Sequence, residues 1–307
     1  MTQQPYRVLA RKYRPNNFDT LIGQDALVRT LTNAITHNRV AQAFMLTGVR
    51  GVGKTTTARI IAKALNCIGT DGKGDATPSP CGECSNCVAI SEDRHVDVKE
   101  IDAASHNGVD QVREISENIH YRPSQARYSI IILDEVHMLT TQAFNAILKT
   151  LEEPPAHAKF IFATTEIRKV PVTVLSRCQR FDLRRVPLMQ LKAHYEAIAA
   201  SEQVEFDEEA ISLIARAADG SVRDGLSLLD QAIALDGDKI ALDQVRIMLG
   251  LADRAFIWEI YEAMLAGKVD LVLDKLQDLH HRGADPLVIT HDMLDITHFL
   301  TRAKMSS

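Results

Sequence analysis

The sequence predicts an α/β protein, with a mostly parallel sheet flanked by helices on both faces and then a region built of helices alone. Three observations predict this. Short apolar runs alternate with helix-period stripes from residue 43 to about residue 165, as in strand–helix–strand units whose parallel strands are covered on both sides. A glycine-rich run, Gly48 to Thr55, lies between one such strand and the helix after it. Beyond about Leu188 the strand-like runs stop and helical stripes continue.

Each element has its own signal. Ala43-Phe44-Met45-Leu46-Thr47 reads as a buried strand, and Lys54 to Leu65 as a helix. Val98 to Ile101 reads as a strand, followed by Val109, Val112, Ile115 and Ile119 at helical spacing. Ser129-Ile130-Ile131-Ile132-Leu133 is β-branched and bounded by charge, which suits a central strand. Phe144, Ile147, Leu148 and Leu151 make a helix stripe that Pro154-Pro155 ends, because proline has no amide to continue the ladder. Lys159 to Thr164 gives one more strand. Between Asn66 and about His95 the chain turns rich in Gly, Pro, Ser and Cys and loses periodicity, so it reads as a separate inserted module. Ile211, Ile214, Ala215 and Ala218 mark a small helical domain reaching about Leu235, and a further helical region runs from Leu242 to Ser307. The expected divisions are 1–186 with an insert at 67–95, then 187–242, then 243–307.

Composition narrows the function classes. The 307 residues, 46% of them hydrophobic, suffice for about two or three domains with cores. A net charge of -5 does not mark a free-standing nucleic-acid binder, although a few basic residues lining a channel between subunits would not move that total. No run approaches the ~20 apolar residues of a membrane span. The opening Met-Thr-Gln-Gln-Pro-Tyr-Arg has no apolar signal core, so a cytoplasmic location and no membrane partner are expected. Five cysteines in such a chain argue for metal ligation over a disulfide framework.

Gly48-Val49-Arg50-Gly51-Val52-Gly53-Lys54-Thr55 fits G-x-x-x-x-G-K-[ST], with Thr56 following on the helix. Its place after a strand and before a helix is the context a phosphate-cradling loop requires, and a chance glycine-rich turn would not supply it. The glycines let backbone amides close round phosphates, and the helix N-terminus adds a favourable dipole. Lys54 is expected as a solvent-facing ligand of the β- and γ-phosphates of ATP, and Thr55 as a ligand of Mg²⁺. Asp134 and Glu135 end the strand at 129–133. Alone they could be the start of a solvated loop. Paired with the phosphate loop, Asp134 is expected to hold Mg²⁺ and Glu135 to polarise the attacking water. His137 is expected to pack or to support that site from behind.

Cys81-x₂-Cys84-x₂-Cys87, preceded by Cys67, places four thiolates in one short insert. A closed structural zinc site wants four such ligands, and a small insert without an apolar core needs a staple. Cysteines at this spacing also suit an iron–sulfur cluster, so the residues leave the metal open. His95 is a spare candidate ligand, and Cys178 lies apart as a packed thiol.

Leu9-Ala10-Arg11-Lys12-Tyr13-Arg14-Pro15 with Ile22-Gly23-Gln24 resembles the adenine-pocket segment of AAA+ clamp loaders, and Ser176-Arg177-Cys178 resembles their arginine-finger motif. From residue 6 to about 250 the chain is similar to the tau/gamma ATPase subunits of bacterial DNA polymerase III clamp loaders. The resemblance implies a P-loop AAA+ domain with a zinc insert, a helical lid and the start of a collar that oligomerises. It implies that Thr165 in Ala163-Thr164-Thr165 is sensor 1, that Arg223 in Gly220-Ser221-Val222-Arg223-Asp224 is sensor 2, and that Arg177 acts in trans on a neighbour's ATP. Zinc is the metal it favours at Cys67, Cys81, Cys84 and Cys87. The implied partners are other loader subunits and copies of the chain, the sliding clamp, primed DNA held by its backbone, and the polymerase core through a C-terminal region beyond residue 307.

DNA contacts are expected at the helix N-termini near Ser105–Gly108 and Thr140–Gln142, where free amides could meet phosphates, although both segments also read as plain caps. Two competing readings remain. One is another AAA+ DNA motor, such as a branch-migration helicase. The other is a structural subunit of the loader that does not hydrolyse ATP.

Overall fold

The computed structural model describes residues 7–106, 108–236, 239–250, 254–281 and 285–306. Residues 1–6 and Ser307 at the ends of the expected domains, Asn107 within the loop at 105–108, and the side chain of Ile115 lie outside the described residues. The chain divides into two compact units, residues 1–191 with 218–227, and residues 192–217 with 228–307.

The first unit opens with α1 (Leu9–Lys12) and α2 (Asp25–Thr36), then β1 (Ala43–Thr47) and α3 (Lys54–Asn66). After a loop come α4 (Ser85–Ser91), β2 (Val98–Asp102), α5 (Val109–Asn118), β3 (Ser129–Asp134), α6 (Thr141–Glu152), β4 (Ala158–Thr164), α7 (Val172–Leu175) and β5 (Gln179–Asp182). The five strands form one sheet in the order β2-β3-β4-β1-β5, every pair parallel. Strand alternation sorts the core into two layers. Phe44, Leu46, Ile130, Ile132, Ile161 and Ala163 face one cluster with Ile60 and Ile61 of α3. Ala43, Met45, Ile131, Leu133, Phe160 and Phe162 face the other with Val112 of α5 and Phe144 and Ile147 of α6. At ~1.5–3 kcal/mol for each large side chain taken out of water, these layers hold the sheet and carry the strand ends rigidly.

α8 (Leu188–Ser201) leads into the second unit, with β6 (Glu205–Phe206), α9 (Glu208–Ala217), α10 (Val222–Asp236), β7 (Lys239–Ile240), α11 (Leu242–Met248), α12 (Arg254–Leu265), α13 (Val269–His281) and α14 (Pro286–Ser306). Ile257, Ile260, Leu279 and Ile289 form a separate small core among the last three helices. No helix among the described residues is long and apolar enough to cross a membrane.

Three expectations are corrected. The sheet has a fifth strand, β5, a polar strand at the sheet edge with only Phe181 buried. Strands do not stop at Leu188, since β6 and β7 pair in parallel over two residues. The insert is not a separate module. α4 lies inside it, capped where Cys84 Sγ accepts the amide of Cys87, and Ile90 joins the main core.

Candidate functional site

The loop from Gly48 to Gly53 connects the carboxyl end of β1 to the first turn of α3. Two of its glycines are demanded by their surroundings. A Cβ on Gly48 would lie 2.6 Å from the Leu183 carbonyl, and one on Gly51 would lie 1.9 Å from Ser221 Oγ, both at positive φ. Lys54 is buried, contrary to the solvent-facing expectation, at 6% exposure. Its Nζ donates to the carbonyls of Gly48 (3.1 Å) and Val49 (3.0 Å). Burial lowers its pKa, against the opposing pull of Glu135 and Asp134.

Asp134 ends β3 beside the same helix. Thr55 Oγ1 donates to Asp134 Oδ2 at 2.5 Å, so the hydroxyl and carboxylate expected to share a cation already meet. Asp134 Oδ1 accepts the Glu135 amide at 2.9 Å. Glu135 has left-handed backbone, φ 45° and ψ 45°, a conformation that non-glycine residues adopt at a cost. It swings the carboxylate toward the end of β4. There Glu135 Oε2 accepts from the Thr165 amide at 3.2 Å and from Thr165 Oγ1 at 3.0 Å. His137 follows on a one-turn 3₁₀ segment, Val136–Met138. Its Nδ1 lies 3.0 Å from Thr164 Oγ1 and 3.4 Å from Glu135 Oε2, and its Nε2 is 3.4 Å from Glu166 Oε1.

The structure therefore gathers Lys54, Thr55, Asp134, Glu135 and Thr165 at the carboxyl ends of β1, β3 and β4. Arg223, at the start of α10, donates its amide to the Gly51 carbonyl at 3.2 Å, and its side chain is exposed. Arg50 and Val49 are exposed on the loop, while Val52 is buried and Thr56 half-buried on α3. α1 lies within the segment expected to form the adenine pocket, with Leu9 buried. Gln24 staples that region by exchanging hydrogen bonds with the carbonyl and amide of Arg184, at 2.8 and 3.1 Å. Arg177 is not among the gathered residues. Its guanidinium donates to the Thr173 carbonyl at 2.7 Å and to Glu152 Oε1 at 2.7 Å. Cys178 packs against the second core layer, and burial pushes its thiol up to about 12.

The four cysteines Cys67, Cys81, Cys84 and Cys87 bring their sulfurs within 4.8 Å of one another. A tetrahedron with metal–sulfur bonds of ~2.3 Å has edges of ~3.8 Å, and the Cys67 and Cys81 sulfurs stand 3.6 Å apart. Backbone amides already point at them: Cys81 and Gly69 donate to Cys67 Sγ at 3.4 Å each, and Cys84 donates to Cys81 Sγ at 3.3 Å. Burial raises the Cys81 thiol, but the amides of Cys84 and Glu83 with the neighbouring thiols bring it down to about 7. Burial pushes Cys87 up. The donor set fits zinc. His95 stands outside this group; its Nδ1 accepts the Asp97 amide at 3.0 Å. The surrounding fold grips the insert as well. Arg127 donates to the carbonyls of Leu65 (2.5 Å) and Gly74 (2.8 Å), and Lys63 donates to Ser91 Oγ (3.0 Å) and Asn16 Oδ1 (3.1 Å).

At the first of the two candidate phosphate-facing termini, Asn107 lies outside the described residues. The amides of Ser105 and His106 both go to the Asp102 carbonyl. Thr140 caps α6 through Ala143 at 3.2 Å, leaving the Thr141 and Gln142 amides outside the helix's own ladder.

Family models match in succession: DNA polymerase III, delta subunit, over residues 23–187; the DNA polymerase III clamp loader subunit ATPase lid domain over 190–238; and DNA polymerase III subunits gamma and tau domain III over 240–307. The DNA polymerase III subunit tau of Bacillus subtilis is 41% identical over 289 residues, 94% of this chain and 50% of that one. The DNA polymerase III subunit gamma of Buchnera aphidicola subsp. Schizaphis graminum is 39% identical over 300 residues, 97% of this chain and 81% of that one. The chain thus spans about half the length of the tau relatives it matches. Among solved structures, the Thermotoga maritima RuvB Holliday junction branch migration motor superposes with a TM-score of 0.56 at 18% identity, covering 82% of this chain and 79% of that one. At that identity the likeness is one of fold.

Proposed function

This chain belongs to the tau/gamma subunit family of DNA polymerase III, and from that premise we propose that it is the ATP-hydrolysing motor subunit of a clamp loader. It would open a sliding clamp and load it onto primed DNA. The observation that carries the reading is the meeting of Lys54, Thr55, Asp134, Glu135 and Thr165 at one end of the sheet, with the family match across the rest. Domain boundaries at 1–186, 187–242 and 243–307, with the insert at 67–95, belong to the same proposal.

In this account the loop amides and Lys54 Nζ take the phosphates, the ammonium leaving its two carbonyls to do so. Thr55 and Asp134 would hold Mg²⁺, which would neutralise charge on the phosphate oxygens. Glu135 takes up a proton from the attacking water, and Thr165 orients Glu135. Arg223 reports the γ-phosphate to the lid helix that it begins. Arg177 completes a neighbouring subunit's site. Its tie to Glu152 joins side chains that are 34% and 54% exposed. Such surface pairs are worth ~0–1 kcal/mol, so release costs little. The insert holds zinc as a structural staple. Primed DNA would meet the Thr141 and Gln142 amides by its phosphates, while other subunits, copies of the chain and the polymerase core complete the assembly.

The test is reconstitution with partner subunits, a clamp and primed DNA. ATP-dependent transfer of the clamp to DNA, abolished by Lys54→Ala, is the expected result. Branch migration without clamp transfer would replace this reading with that of another DNA motor. Clamp transfer unaffected by Lys54→Ala would make the chain a structural subunit.

A further inference from the structure

We propose that His137 is a positioning residue for ATP hydrolysis, holding the segment that aims Glu135. The inference rests on the catalytic reading of Glu135 given above. The ring is nearly enclosed, its side chain 7% exposed, in a short 3₁₀ turn whose next residue, Met138, is 46% exposed. It does not merely fill space there. Each nitrogen faces a polar atom on the chain leaving β4, with Nδ1 3.0 Å from Thr164 Oγ1 and Nε2 3.4 Å from Glu166 Oε1. These are the two residues flanking Thr165. Two further bonds stiffen the same strap: the Glu166 amide donates to Thr164 Oγ1 at 3.0 Å, and Lys169 Nζ donates to Glu166 Oε1 at 2.9 Å.

The strap's purpose follows from what Thr165 does. Its amide and hydroxyl both land on Glu135 Oε2, at 3.2 and 3.0 Å, and His137 Nδ1 stands 3.4 Å from the same oxygen. Among the described residues no donor reaches Oε1. One oxygen is therefore fixed from behind and the other is left for the attacking water. Holding Thr164 and Glu166 fixes where Thr165 points, and Thr165 fixes the rotation of the carboxylate. Misaiming a reacting group by about 1 Å can cost on the order of a hundredfold in rate without touching binding.

The experiment uses the assembled loader with clamp and primed DNA, measuring steady-state ATP hydrolysis against ATP concentration. His137→Phe keeps the ring's bulk and removes both polar atoms. It is expected to lower kcat about ten- to hundredfold while KM for ATP moves less than about twofold. His137→Asn keeps a polar group within reach of Thr164 and is expected to fall between the two. Should His137→Phe not fold, His137→Asn carries the test alone, with a lowered kcat at unchanged KM expected. Wild-type kcat in a folded His137→Phe or, in that fallback, His137→Asn protein overturns the inference. So does a raised KM with unchanged kcat, which marks a binding residue. Glu135→Gln is run alongside. If that variant turns over normally, the reading of Glu135 itself fails; if it stalls while His137→Phe runs normally, only the present inference fails.

Discussion

Lys54, Lys63 and Lys159 are all buried, and the first and last of them differ in consequence. Lys54 keeps its charge useful because its ammonium rests on two carbonyls of the loop that would receive phosphate. Lys54→Ala is expected to weaken ATP binding about tenfold to a hundredfold, the loss of a charge-assisted contact worth ~1.5–3 kcal/mol. Titration with a fluorescent ATP analogue checks it, and unchanged affinity would mean the loop does not hold phosphate through this residue. Lys159 is 3% exposed on β4. Its Nζ donates to the carbonyls of Val40 and Ala41 and sits over the Tyr128 ring. Burial lowers it to about 8 from 10.5. Between those values the unfolded chain holds the proton more tightly, so stability rises with pH across that window. The charged lysine costs on the order of 3 kcal/mol below pH 8, a cost relieved toward its ordinary pKa. Denaturant unfolding from pH 8 to pH 10 should show the wild type gaining on Lys159→Met; parallel curves would contradict the assignment. The gathering of Lys54, Asp134 and Glu135 is legible in the sequence because residue type and spacing carry it. The contact of Glu135 with Thr165 is not, because it depends on left-handed backbone at position 135.

At the scale of elements, what the sequence conceals is what lacks period or length. β5 is a polar edge strand with one buried side chain, so neither an apolar run nor a clear alternation announces it. β6 and β7 span two residues each, too few for any pattern. α4 hides among glycines and prolines because its start is set by a cysteine sulfur accepting an amide, a cap that polar-residue rules do not anticipate. The insert's anchoring alters what metal loss should do. Cys84→Ser is expected to release the metal and loosen residues 68–84. α4 should stay ordered, because Ile90 sits in the main core and Lys63 holds Ser91. Hydrogen exchange and elemental analysis read both outcomes, with about one zinc per wild-type chain expected from a four-ligand site. Iron in the purified protein would refute zinc, and exchange spreading through residues 85–91 would refute the anchoring.

For the whole molecule, the proposed function depends on more than one chain. Among the described residues, Arg177 bonds to Thr173, Ser176 and Glu152 and not to the phosphate loop. Arg177→Ala is therefore expected to bind ATP normally and to lose roughly 10³-fold or more of assembled turnover, the lower end of what arginine fingers supply. Mixing Arg177→Ala with Lys54→Ala chains should locate the damage in the adjoining subunit's site, and weakened ATP affinity at the mutant's own site would show action in cis.

The claim beneath all of this is that the chain hydrolyses the ATP it binds, using Glu135, to drive clamp loading. The most direct measurement compares wild type with Glu135→Gln in the reconstituted loader, following bound nucleotide and phosphate release together. The account predicts that Glu135→Gln retains ATP and holds clamp and DNA in a stalled complex, with phosphate release lost. Phosphate release at the wild-type rate by Glu135→Gln would contradict it.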